Sequence, residues 1–218
     1  MSASGVFVTG TGTGVGKSVV AAAIARTALM AGRDVAVYKP AVTGLDGGGE
    51  ADHELLRRAS GSEQGKGEIA PYRYGPAASP HLAAELAGEE ISPERLLSAA
   101  RVAADGADAL VCEGVGGLMV PLAPEYLVRN LAVDLGYPLV IAASPGLGTI
   151  NHTLLTIEAA WAAELDVRAV VLTPWPEEPS EIELSNRATV RLLGGVDVHA
   201  LPELDLKDPE GWPALDLV

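Results

Sequence analysis

Cysteine is almost missing from this chain of 218 residues: Cys112 stands alone, so no internal disulfide can form, which suits a reducing compartment. Lysine is scarce as well, present only as Lys17, Lys39, Lys66 and Lys207. No basic run is longer than Arg57-Arg58, and the net charge is −14. Such a surface repels the phosphates of nucleic acid and anionic lipid, so neither is an expected partner. No apolar run approaches the ~20 residues that cross a bilayer. The chain reaches Gly10 without a basic segment followed by an apolar one, so no signal peptide is expected. The histidines, His53, His81, His152 and His199, lack metal-ligand spacing. No internal repeat and no linker-like change of composition divides the sequence. A chain this long can bury roughly 70% of its unfolded surface in one core. The expectation is one cytoplasmic domain over residues 1–218.

What is present is an alternation. "GVFVTG", "DVAVYKP", "ALVCEG", "PLVIAAS", "RAVVLT" and "VDVHAL" are short apolar runs with β-branched residues, and each reads as a buried strand. Between them, "KSVVAAAIARTALMAG", "PERLLSAARVAAD", "EYLVRNLAVDLG", "TINHTLLTIEAAWAAEL" and "EIELSNRATVRLLGG" read as helices. Strands alternating with helices imply parallel β-α-β units. Strands apolar on both faces imply a sheet covered on both sides. The expected class is therefore α/β with three layers. Thr43 to Pro80 is the least regular part, with one helix expected near Asp52 to Ser60. Loops leaving the carboxyl ends of such strands build the site in open α/β sheets.

One of those loops carries chemistry. In "VTGTGTGVGKS", Val8 to Ser18, the chain leaves a strand, turns through alternating glycines and enters a helix. Backbone N–H groups and the positive helix end then point at an anion, and glycine lets the backbone approach it. The phosphate-loop pattern G-x-x-x-x-G-K-[ST] asks for glycine at position 11, where this chain has Thr; counting from Gly10 leaves five residues before Gly16. Lys17 suits the β/γ-phosphates, and the Ser18 hydroxyl suits Mg²⁺. A dinucleotide fingerprint needs glycine at 15 or 17, where Val and Lys stand, so that reading fails.

Other motifs are ambiguous one by one. Lys39 ends the second strand; it can reach the same phosphates or a reacting carboxylate, or extend into water. Glu113 ends the third strand before a glycine run; it can hold Mg²⁺ or merely close a turn. Cys112 beside it reads as a small core residue rather than a nucleophile. Asp52 opens a helix, as a cap, a helix-dipole partner or a metal ligand. "GLGTINHT" is a second glycine-to-helix entry, able to take a carboxylate or to be an ordinary turn.

Together, the segments resemble the dethiobiotin synthetases over nearly the whole chain. "VTGTGTGVGKS" is similar to that family's loop with its longer spacing, and "YKPAVTG" to its K-P-x-x-[ST]-G segment. "ASPHLAAE", "CEGVGGLMVPL" and "GLGTINHTLLTIEA" resemble three further family stretches. The resemblance implies a P-loop NTPase-type fold with a mostly parallel sheet. It implies an ATP-dependent ligase that joins CO₂ (or bicarbonate as its source) to 7,8-diaminononanoate and closes a cyclic urea. Lys17 and Lys39 then supply catalytic positive charge. Ser18, Asp52 and Glu113 supply the Mg²⁺ shell. Gly14, Val15, Gly16 and Val19 contact the nucleotide, as do Gly114, Val115 and Gly116 after the third strand. Thr173-Pro174, after the fifth strand, and Leu201, Pro202 and Glu203 fall where the family reads the base. Thr13 and Thr43 face the carbamate and diamine. Gly148, Thr149 and Asn151 hold the substrate carboxylate from a neighbouring subunit, which implies a homodimer.

Two departures from the family stand out. Many members carry an acid at the position of Gly14, and an Asn-Asp pair where this chain has Thr173-Pro174. Two other readings share the loop. A switch ATPase of the partition or placement type carries an extra lysine early in its loop, and positions 10 to 16 hold none. An amidotransferase-like synthetase of the cobyrinic acid type needs a glutaminase domain with a reactive cysteine, for which 218 residues leave little room.

Overall fold

A computed structural model describes residues 4–48 and 50–218. The chain opens with strand β1 (Ser4–Gly10), helix α1 (Lys17–Met30) and strand β2 (Val35–Tyr38). An irregular stretch follows, holding β3 (Ala41–Val42), α2 (Asp52–Ser60), α3 (Lys66–Ile69) and β4 (Tyr72–Arg73). Next come α4 (Pro80–Ala87), α5 (Pro93–Ala104), β5 (Ala109–Glu113), a hairpin of β6 (Pro121–Ala123) and β7 (Tyr126–Leu127), and α6 (Val128–Leu135). The last third runs β8 (Leu139–Ala143), α7 (Thr149–Trp161), β9 (Val167–Trp175), α8 (Glu181–Gly194) and β10 (Asp197–Pro202).

Six strands form one sheet in the order β10-β9-β8-β1-β5-β2, and every adjacent pair is parallel. Neighbouring residues of each central strand go to opposite faces. Val6 and Val8 join α1 and α2 on one side, with Leu215 and Leu217 of the C-terminal tail. Phe7 joins α5, α6, α7 and α8 on the other. Burial on both faces accounts for the near-continuous apolar reading of these strands. This is the three-layer α/β fold expected from the alternation. Because β5 lies between β1 and β2, these consecutive strands are not neighbours, and the carboxyl end of β5 stands between theirs.

Four local expectations change. Tyr126 and Leu127 are not helical: Leu127 pairs with Pro121 across the hairpin. The helix starts only at Val128, where the Asn130 side chain accepts from the Leu127 N–H. Helix α7 ends at Trp161 rather than Leu165, because Glu164 turns left-handed at φ 58° and the Leu165 N–H closes onto Ala160 O. Strand β9 runs on to Trp175, so Thr173-Pro174 lie inside the strand rather than after it. Helix α4 was not expected; Pro80 opens it, and the left-handed Gly88 closes it.

Candidate active site

The glycine loop joins β1 to α1. Lys17 is the first residue of α1, and Gly16 before it has φ +88°. A Cβ on Gly16 would come within 2.5 Å of Thr173 Cγ2, so this position needs glycine for both its torsion and its space. Gly10 is needed for a different reason. A Cβ there would meet Val15 Cγ2 at 2.7 Å and Lys17 Cγ at 2.9 Å. Thr11 donates its N–H to Ala142 O of β8, so the extra residue is taken up against the neighbouring strand. The Lys17 ammonium folds over the loop to Gly12 O at 2.7 Å. Burial holds Lys17 below the ordinary lysine range, opposed by the negative charge of Glu113.

Three chain segments meet in front of this loop. Lys39 leaves the end of β2, Glu113 ends β5, and Asp52 opens α2. The Lys39 Nζ lies 2.6 Å from Glu113 Oε1 and 2.9 Å from Asp52 Oδ2. Ser18 Oγ donates to the same Glu113 Oε1 at 2.8 Å. Lys39 is 2% exposed and Glu113 not at all. Burial alone pushes Lys39 toward neutrality, but Glu113 and Asp52 outweigh it and hold the ammonium protonated above its ordinary range. Burial likewise pushes Glu113 up; Lys39 opposes this, the Asp52 carboxylate adds to it, and the net direction is up, while Oε2 has no partner. Asp52 is half exposed; its partial burial is outweighed by Lys39, which holds it below the usual carboxylate range.

These groups line a cavity of about 900 Å³. Of the residues expected at the site, Thr13, Gly14, Gly16, Val19, Thr43, Val115 and Gly116 line it together with Lys17, Ser18, Lys39, Asp52 and Glu113. Val15 turns its side chain back toward Gly10, and Gly114 packs on Phe7 and Val128; neither faces the cavity. Thr173 backs the loop, Pro174 is exposed, and Leu201, Pro202 and Glu203 lie outside the cavity wall. Gly148, Thr149 and Asn151 stand at the start of α7, also outside it. Sequence reasoning missed Ala41, Glu50, Leu55, Ala77 to Pro80, Val120 and Leu206, which complete the wall. Arg58 fastens two of these: it grips the Glu50 carboxylate at 2.9 Å and donates to Leu206 O at 2.8 Å. No local signal marks such a pairing.

The carboxylates of Asp52 and Glu113, the latter with its buried Oε2 unpartnered, and the Ser18 hydroxyl form an all-oxygen donor set that fits a hard cation such as Mg²⁺.

A family model described as an AAA domain matches residues 4–206. An ATP-dependent dethiobiotin synthetase BioD of Anaeromyxobacter dehalogenans is 43% identical over 91% of this chain and 89% of its own length. The chain belongs to the dethiobiotin synthetase family. Members of that name from Rhodococcus erythropolis and Bacillus subtilis subsp. natto are 39% and 34% identical over 89% of this chain, covering 86% and 84% of theirs. A ParA family ATPase from Chlorobium tepidum shares the fold at a TM-score of 0.54, with 14% identity, over 94% of this chain and 88% of its own. At that identity the likeness concerns the fold alone, so the switch-ATPase reading has less behind it than the dethiobiotin synthetase family does. No helix among the described residues is long and apolar enough to cross a membrane.

Proposed function

We propose that this chain is a single-domain, cytoplasmic, ATP-dependent dethiobiotin synthetase that converts 7,8-diaminononanoate and CO₂ to dethiobiotin. The observation that carries the reading is the convergence of Lys17, Lys39, Ser18, Asp52 and Glu113 on one cavity in a chain of this family. One amine adds to CO₂, loses a proton and becomes a carbamate, a poor electrophile. Transfer of the γ-phosphoryl group from ATP to a carbamate oxygen releases ADP and gives a carbamic–phosphoric anhydride. The second amine attacks its carbonyl, phosphate leaves, and the cyclic urea closes. The protein must bring two anions together and mask their charge.

Lys17 and the loop N–H groups hold the phosphates, and Gly14 to Val19 form the cradle around them. Ser18, Asp52 and Glu113 would hold Mg²⁺, which neutralises charge on the β- and γ-phosphate oxygens. Lys39 faces the transferring charge. Thr13 and Thr43, which line the same cavity, orient the carbamate and diamine. Val115 and Gly116 border the nucleotide next to Glu113, whereas Val15 and Gly114 act only by shaping the backbone.

Gly148, Thr149 and Asn151 would reach a site only in a second copy, which makes the working unit a homodimer. Leu147 beside them is 95% exposed, and Leu155, Leu192 and Leu193 on α7 and α8 are exposed as well, a face suited to a second copy. ADP release should require both 7,8-diaminononanoate and bicarbonate, with Mg²⁺ present. Equal hydrolysis with and without the diamine would overturn the synthetase and favour the switch ATPase.

A further inference from the structure

Lys39 neutralises the two carboxylates that the proposed magnesium shell also needs. Its Nζ bridges Glu113 Oε1 and Asp52 Oδ2 at 2.6 and 2.9 Å. Glu113 Oε1 also accepts from Ser18, so both of its lone-pair directions are taken. A magnesium ion held by these two carboxylates, whether through Glu113 Oε1 or through its unpartnered Oε2, would share them with the ammonium as a close like charge. Lys39 and Glu113 are shielded from water, which leaves little solvent to screen that repulsion. The carboxylate pair carries two negative charges and Lys39 one positive. An arriving divalent ion can replace the ammonium, but it cannot share the same two carboxylates with it without strong like-charge repulsion.

We infer that Lys39 is the built-in counter-cation of the metal site, and that it and a divalent metal compete for Glu113 and Asp52. Metal entry releases the ammonium from its carboxylates into the cavity toward Thr13 and Thr43. There the reacting anions become its new partners. Lys39 thus reaches the transferring charge only when the metal is in place, which couples nucleotide loading to readiness for phosphoryl transfer. The inference rests on Ser18, Asp52 and Glu113 being the metal shell, and it assigns Lys39 a function that a fixed electrostatic donor would not have.

Mn²⁺ serves as the probe, with free ion read by electron paramagnetic resonance in the absence of nucleotide. Lys39→Met should bind Mn²⁺ roughly tenfold more tightly than the parent chain, the scale of losing one close, poorly screened like charge. Since Lys39→Met leaves Glu113 buried without its cation, a second measurement uses the parent protein. The chain has four lysines, so its ¹⁵N-labelled lysine side chains give at most four ammonium signals. Adding Mg²⁺ should move or broaden the Lys39 signal and leave Lys66 and Lys207 unchanged. An unmoved Lys39 signal, or Mn²⁺ affinity in folded Lys39→Met no higher than in the parent, overturns the competition while the metal shell stands. Mn²⁺ binding in the parent that survives Asp52→Asn unchanged overturns the shell itself, and the competition with it.

Discussion

Gly16 and Thr173 are packed together, although one caps helix α1 near the start of the chain and the other belongs to strand β9: a Cβ on Gly16 would lie 2.5 Å from Thr173 Cγ2. Gly16→Ala therefore meets two penalties. The left-handed torsion costs about 1–2 kcal/mol for any residue with a Cβ, and Thr173 adds a clash. A loss of that torsional size alone lowers Tm by about 2–8 °C in a chain of this length. Nucleotide affinity should fall as well, because the N–H groups of the loop lose their aim. Adding Thr173→Ser removes Cγ2 and should recover part of the Tm but not all of it. If Thr173→Ser recovers nothing, the contact does not set the fit of the loop.

Lys39 gives a second test. Lys39→Ala should lower kcat by roughly 10²-fold or more, the scale of losing one donor to developing charge. The nucleotide Kd should change less, because in the proposed site Lys17 and the loop N–H groups bind the phosphates. Near-full turnover by Lys39→Ala would show that the ammonium only fills its buried slot.

Assembly can be read by mixing. A Lys39→Ala chain combined with a chain disrupted at Asn151 should regain activity, because one of the two hybrid sites then has both parts intact. Neither chain alone should show it. A fully active monomer in solution would rule the arrangement out.

Base choice should be loose. Thr173 is buried against Gly16, and Pro174 has no N–H to offer, so the strand lacks the amide side chain that would match a ring edge. Gly14 adds no side chain either. A site without base-matched polar groups leaves nothing unpaired when the base changes. Preference for ATP over CTP, GTP or UTP should stay below about tenfold in kcat/KM, or ~1.4 kcal/mol. A hundredfold preference for ATP would mean that groups elsewhere, such as the backbone of Leu201 to Glu203, read adenine.

Much of this molecule was legible in the residues alone, because the relevant physics is local. A strand buried on both faces must be apolar throughout, as in "GVFVTG" and "PLVIAAS". Gly14, Gly16, Lys17 and Ser18 lie within a few residues of one another, so their shared role follows from one turn. The starts of α5 and α8 follow from capping chemistry at Ser92 and Ser180. Other features depend on how distant segments pair. Lys39, Asp52 and Glu113 were each ambiguous alone; they meet because β5 inserts between β1 and β2, and a strand order is a long-range choice that no local pattern encodes. Tyr126 and Leu127 carry helix-compatible neighbours, yet pairing with Pro121 draws them into a hairpin. The cavity wall at Glu50 and Leu206 depends on Arg58 bridging segments at opposite ends of the chain. Local propensity and glycine spacing determined the elements and the phosphate loop. Only the tertiary structure, through strand order and buried charge pairing, decided which side chains share the site and in what state of charge.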